Sequence, residues 1–268
     1  MGKLFRPLVF FITFLILLIT EILRRREGAP SLLADNFPMW FLYLVVFIMF
    51  LSIVGTLYMR KRTIRKHETI LKDVNLDTDL HLDRGEYFYQ APIYDADGQR
   101  IRIFGGEDIT YSLHFNNSFE RWFAITVPLP IYGIHLKSKS HDIIIKCDKI
   151  FSFKFHYSIL VDGEFFGKFS NHRLTTKDGI SQLLPFYVQD AAHRYSVKNP
   201  YGSLTTAILK DDQIKLLEGK RSFLDLSKSE KTNMRGEEHT LKVYDDENPD
   251  ELWLAVYGFC MILKNRSS

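Results

Sequence analysis

Twenty-three consecutive residues without a charge, Phe37 to Met59 (FPMWFLYLVVFIMFLSIVGTLYM), make the most apolar run in the chain. At about 1.5 Å per residue such a helix crosses a hydrocarbon core of about 30 Å. A second run, Phe5 to Leu23, has an uncharged core from Pro7 to Thr20 and continues past Glu21 through Ile22 and Leu23. Glu21 falls at the membrane edge, where it can lean outward and meet Arg24 or Arg25 on the same helix face. A cleaved signal peptide is the competing reading of this run. It lacks small residues at a cleavage site, and Arg24-Arg25-Arg26 follows at once, so a retained helix is expected. Residues 1–66 are therefore predicted to form a transmembrane hairpin with helices at 5–23 and 37–59.

Beyond the hairpin the pattern changes. Residues 60–85 mix charges of both signs with enough helix formers to extend the second helix by two or three turns, and 67–85 reads as a linker. From Glu86 onward apolar positions recur in short β-type runs between turn residues. Tyr87 to Tyr94 and Gln99 to Phe104 flank Asp95-Ala96-Asp97-Gly98. Ile150 to Val161 and Glu164 to Phe169 flank Asp162-Gly163, a two-residue hairpin signal. In the first of these latter runs Phe151, Phe153, Phe155 and Tyr157 share one face, opposite Ser152, Lys154 and His156. Further strands are predicted at Ile109 to Phe115, Trp122 to Val127, Ile131 to Leu136, Ile143 to Cys147, Ser181 to Val188, Arg194 to Val197, Leu204 to Leu209, Ile214 to Leu217, Ser222 to Leu226 and His239 to Tyr244. So many short strands imply an antiparallel barrel or sandwich.

The last segment breaks the β pattern. Asn248-Pro249-Asp250-Glu251 supplies a capping residue, a proline at the first helical position and acids in the first turn. Leu252 to Leu263 (LWLAVYGFCMIL) follows with no charge on any face. At about 18 Å it is too short to span a bilayer, and a helix apolar all round must be buried on all sides. A third crossing is the alternative. The expected fold is a closed antiparallel barrel of about twelve strands around a buried helix at 249–263.

Charge divides the chain in the same place. Residues 1–66 hold ten Lys/Arg and three Asp/Glu, leaving 25 basic and 29 acidic residues for the rest. A slightly acidic soluble part lacks the positive field that non-specific nucleic-acid binding requires, so nucleic acid is not an expected partner. Lys3, Arg6, Arg60, Lys61, Arg62, Arg65 and Lys66 outnumber the three arginines of the connecting loop, which places the N-terminus and the soluble domain in the cytoplasm, below a multi-pass cell-membrane anchor. The two cysteines, Cys147 and Cys260, have no CxxC partner; a single disulfide is open, and two buried free thiols suit a reducing compartment.

An antiparallel β-domain over residues 86–268 that ends in a wholly apolar helix resembles the tubby C-terminal domain and its relatives, the LURP-one-related proteins and phospholipid scramblases. Three features carry the resemblance: the hairpin at 95–98, the Asp162-Gly163 hairpin leading into Glu164-Phe165-Phe166-Gly167-Lys168-Phe169, and the helix Asn248 to Leu263. Bacterial tubby-like proteins with N-terminal membrane segments fit the layout. The resemblance implies a terminal helix running through the barrel, and a non-enzymatic domain that binds membrane lipid headgroups or a protein partner.

Independently of that resemblance, the stretch from His135 to Lys177 sets Lys137, Lys139, Lys146, Lys149, Lys154, Lys168, Arg173 and Lys177 against Asp142, Asp148, Asp162 and Glu164. Lys137, Lys139, Lys146, Lys168 and Arg173 are the candidate contacts for anionic lipid, against the alternative of an ordinary solvated strand face. Catalytic and metal signals are absent. Nine histidines show neither HxH nor HExxH spacing, and Asp95-Ala96-Asp97-Gly98 fails a calcium loop at Gln99 and Arg100. Gly105-Gly106 precedes no helix that would present a phosphate site. Asp245-Asp246-Glu247 is accounted for by the positive end of the following helix. No cofactor is expected. The alternative is a membrane-bound hydrolase or transferase whose site is assembled from dispersed His, Asp and Glu.

Overall fold

A computed structural model describes residues 5–30, 32–33, 38–73, 82–92, 98–126, 130–148, 156–172, 185–222 and 236–267. The chain divides into two compact units, residues 1–66 with 122–129, and residues 67–121 with 130–268.

In the first unit, helix α1 spans Phe5–Arg26 and α2 spans Met39–Asp73. By length and composition Pro7–Arg26 and Met39–Met59 are each able to cross a membrane. Most of their large apolar side chains face outward, as a lipid solvent requires. Trp40 and Tyr58, each 65% exposed, bracket the α2 run about 27 Å apart, close to the spacing of the two bilayer interfaces. Glu21 meets Arg25 at 2.8 Å as the helix spacing predicts. It does not lean outward, however: its side chain is fully buried, with the second carboxylate oxygen accepting from the Leu32 amide.

The second unit is a closed barrel in which each strand pairs antiparallel with its neighbours in sequence and β12 closes on β1. The strands are β1 Glu86–Pro92, β2 Ile101–Phe104, β3 Ile109–His114, β4 Gly133–Lys137, β5 Asp142–Cys147, β6 His156–Val161, β7 Glu164–Asn171, β8 Phe186–Gln189, β9 Arg194–Lys198, β10 Thr205–Lys210, β11 Ile214–Arg221 and β12 Gly236–Val243. Alternation sends one set of side chains inward, including Ile134, Leu136, Ile143, Ile145, Ile159, Phe169, Val188 and Leu241, all fully buried. They surround α4, Asp250–Ser267, in which every residue from Leu252 to Leu263 is buried. The third apolar run is therefore the barrel core, not a crossing.

Polar contacts hold the start of α4 at the rim. Tyr87 donates to Asp250 at 2.6 Å, Ser138 to Glu251 at 2.8 Å, and the Trp253 indole to Asp245 at 2.6 Å. Asp250 and Glu251 occupy the first turn, as the dipole favours. Asn248 donates its amide to Asp245, which folds the acidic segment back on itself.

One predicted strand is wrong. Trp122 to Val127 was expected as β, yet Ser118–Thr126 forms helix α3. The cause is local capping: the Glu120 amide donates to Asn117 Oδ1 at 2.8 Å while Glu120 Oε2 accepts from the Asn116 amide at 2.9 Å, one residue before the cap, an arrangement close to the capping box that starts a helix. Residues 223–226 of the predicted strand Ser222 to Leu226, the ring alternation at 151–155 and the hairpin residues 95–97 lie outside the described residues.

The rim nearest the start of α4 carries the same clasp twice. Asp162 holds the Asp142 amide at 2.7 Å and lies 2.8 Å from His141 Nδ1; Asp211 holds the Arg194 amide at 3.0 Å and lies 2.9 Å from His193 Nδ1. Both aspartates sit at left-handed φ, 53° and 50°. Ser138 and Asp190 cap the two preceding loops alike, each accepting from the histidine amide, and the β6–β7 and β10–β11 hairpins each carry a register shift. Strands β4–β7 and β8–β11 are thus two copies of one four-stranded device.

Candidate functional site

The outward-facing positions of β3 to β9 form lateral rows. One row runs through His114, Gly133, Lys146, Ser158, Lys168, Gln189 and Arg194, as the strand registers and the contact of Gly133 with the Lys146 backbone show. With strands about 4.8 Å apart, Lys146 and Lys168 stand about 10 Å from one another across Ser158. Neither has a carboxylate within ion-pair distance among the described residues, and the same holds for Lys137 on β4. Lys139, Lys198, Lys210, Lys215 and Lys242 each meet an acid, whereas Lys220 on β11 resembles the three in meeting none among the described residues.

The five candidate cations are therefore not equivalent. Lys146 and Lys168 share the row, and Lys137 lies on a neighbouring row opposite Thr110 and Asp142. Lys139 is in the β4–β5 loop, 3.0 Å from Glu107 and 3.6 Å from Asp108. Arg173 lies outside the described residues, as do Lys149, Lys154 and Lys177. At the far end of the row Arg194 covers the Tyr187 ring at 4.2 Å and reaches His172 at 3.3 Å.

Sequence reasoning passed over the residues at the near end. His114 and His135 pack edge to face, 6.2 Å apart, and His135 Nε2 lies 2.6 Å from Asp142. Gly133 separates His114 from Lys146, and a Cβ there would stand 1.6 Å from the Ile145 carbonyl oxygen, so no side chain fits between them. Burial holds the His114 imidazole below its ordinary range, an effect reinforced by His135 and Lys146 and opposed by Glu120 and Asp142. The alternation of His135 with Leu136 marks its outward direction, but the register of β3 against β4 has no signature in sequence.

A second polar cluster is sealed inside the barrel, at the end opposite the start of α4. Glu237 meets Arg221 at 3.0 Å and Lys264 at 3.3 Å, and His239 Nε2 stands 3.6 Å away. His239 Nδ1 lies 3.0 Å from the Tyr257 hydroxyl, and its ring stacks on Tyr89 at 4.4 Å. Burial pushes the Glu237 carboxyl up, but the facing His239, Lys264 and Arg221 outweigh it and hold the group at about 2. Burial pushes the His239 imidazole below its ordinary range, and the facing Glu237 opposes that shift. With His239 fully buried, the cluster ties β11, β12 and α4 together. Cys147 and Cys260 are buried free thiols, and burial raises the latter well above its ordinary range. Among the described residues no group of His, Cys, Asp and Glu is placed to hold a metal ion.

No protein-family model, curated protein or solved structure matches the chain.

Proposed function

We propose that the chain is a non-enzymatic binding or scaffold protein of the cell membrane, tethered by α1 and α2, whose barrel recognises anionic lipid headgroups on the cytoplasmic face. The observation that carries this reading is the set of outward lysines, Lys137, Lys146 and Lys168, without a carboxylate partner among the described residues. Cations held near an anionic leaflet contribute about 1 kcal/mol each, and a tether that confines them to the surface raises their effective concentration. A barrel interior filled by α4 leaves recognition to the outer wall. The resemblance to the tubby superfamily points the same way, and the cation excess beside the membrane helices supports the cytoplasmic side.

Sedimentation of residues 68–268 with vesicles tests the reading. Recovery with phosphatidylserine vesicles should exceed recovery with phosphatidylcholine alone, and replacing Lys146 and Lys168 by Gln should lower the partition coefficient by about fivefold per residue. Equal recovery with both vesicles would refute lipid recognition and leave a protein partner as the occupant.

A further inference from the structure

We propose that the barrel docks end-on, entering the bilayer interface with the end opposite the start of α4 and turning its acidic rim to the aqueous side. The inference rests on the reading of the chain as a membrane-tethered binder of anionic lipid and gives the barrel an orientation in that role. The two ends differ in composition. The connections at the rim where α4 starts, residues 82–85, 105–108, 138–141, 162–163, 190–193, 211–213 and 244–249, hold ten Asp/Glu, two Lys/Arg and one aromatic residue. In sequence, the connections at the other end, residues 93–100, 115–132, 148–155, 172–185, 199–204 and 222–235, hold seven Asp/Glu, nine Lys/Arg and eleven aromatic residues. An anionic leaflet repels the first end and attracts the second.

Among the described residues of the second end, Phe119 and Trp122 on α3 are each 58% exposed and Tyr201 in the β9–β10 turn is 65% exposed. Phe119 and Trp122 share one face of the helix, while Glu120 and Ala124 are buried on the other. Trp122 falls in the segment 122–129 that belongs to the compact unit of α1 and α2. The β3–β4 and β9–β10 connections lie six strands apart in a ring of twelve. Phe119 and Tyr201 therefore stand on opposite sides of the barrel end, roughly 20 Å apart, as two feet would. Aromatic rings of this kind favour the headgroup layer. Phe165, Ile214 and Tyr244 are exposed too, but beside the acidic rim. Of the outward lysines, Lys146, next to last in β5, and Lys168 in its row lie toward the docking end, whereas Lys137 closes β4 at the acidic rim. The contour of residues 74–85, about 40 Å, exceeds the length of any strand, so the tether admits either end and charge selects between them.

The test uses the full-length chain in phosphatidylcholine nanodiscs, with and without phosphatidylglycerol at about 30% of the lipid. A fluorophore is placed on one introduced cysteine at a time: Phe119→Cys, Tyr201→Cys, Asp246→Cys at the acidic rim and, in α2, Ile48→Cys. Cys147 and Cys260 are buried and stay unlabelled. Doxyl-labelled lipid quenches a probe in the bilayer, and iodide quenches one in water. Since an interfacial side chain sits about 5–10 Å into the headgroup boundary, doxyl quenching at 119 and 201 should exceed that at 246 by at least about threefold, with the order reversed for iodide. Phosphatidylglycerol should strengthen the lipid contact at 119 and 201, and Lys146→Gln should reduce that gain more than Lys137→Gln does; an equal or reversed order overturns the orientation. Lipid contact at 119 and 201 that is the same in both discs supports the docking and refutes the preference for anionic lipid. Lipid contact at 48 with water contact at 119 or 201, or lipid contact at 246, overturns the docking and leaves the tether intact. Water contact at 48 overturns the tether and the docking together.

Discussion

A single methyl group at Gly219 should unseat the central helix. Gly219 faces inward on β11, and a Cβ built there lies 2.3 Å and 2.6 Å from two ring carbons of Tyr257 and 2.8 Å from Leu241 Cδ2. Carbon atoms in contact stand about 3.5–4.0 Å apart, so the ring would have to retreat by more than about 1 Å. It has nowhere to go: Tyr257 is fully buried, its hydroxyl is 3.0 Å from His239, and Tyr89 meets its ring edge to face at 6.4 Å. Overpacking of this kind costs about 1–3 kcal/mol, the strained hydrogen bond adds about 1, and the lower chain entropy of alanine returns up to about 1. Gly219→Ala should therefore lose about 1–3 kcal/mol, or about 2–4 °C of melting midpoint per kcal/mol for a domain of this size. Urea denaturation of residues 68–268, followed by near-ultraviolet circular dichroism, reads the loss directly. In a Tyr257→Leu background the same substitution should cost at least about 1 kcal/mol less, because contacting residues are not additive. An unchanged midpoint, or an equal cost in both backgrounds, would refute the idea that β11 is cut away to admit Tyr257.

Three further outcomes are expected. Ala255→Asp buries an unpaired carboxylate on a helix with no wet face, so the barrel should not be recovered as a monomer by size exclusion, whereas Ala255→Ser should be; normal yield of the aspartate variant would contradict the buried helix. Trp253→Phe removes the 2.6 Å indole hydrogen bond to Asp245 and should lower stability by about 1–3 kcal/mol in a urea titration, with no change in fold by far-ultraviolet circular dichroism. Glu237, held at about 2 against an ordinary 4.5, contributes stability that is fully present above about pH 4.5 and lost as pH falls toward 2. Glu237→Gln should be less stable at neutral pH and lose less on acidification across that window; parallel acid transitions for the two proteins would remove Glu237 as the cause.

The two long apolar helices and α4 were legible because each announces itself within one continuous segment: a charge-free run of sufficient length, or an apolar run that is too short to span and polar on no face. The strands were legible wherever alternation and a turn coincided, as at Asp162-Gly163. Trp122 to Val127 misled because its aromatic and branched residues favour β structure, while the deciding signal, the Asn117 and Glu120 cap, lay just upstream. The site resisted for a different reason. Lys146 and Lys168 could be named from local charge, but their alignment depends on registers among β5, β6 and β7. Glu237 and His239 were similarly hidden, since an alternating charged strand reads as solvated unless the partner that buries it is known.

The barrel closes between β1 and β12, whose paired residues Glu86 and Lys242 are separated by nearly the whole domain, and its core is supplied by α4 after the last strand. Every strand is made before the segment that fills the barrel, so none has a core to fold around until α4 follows. Long-range closure of this kind is slow and leaves apolar strands open to mispairing in the interval. Order of synthesis and order of dependence thus run opposite ways: the segment made after every strand is the one on which all of them rely.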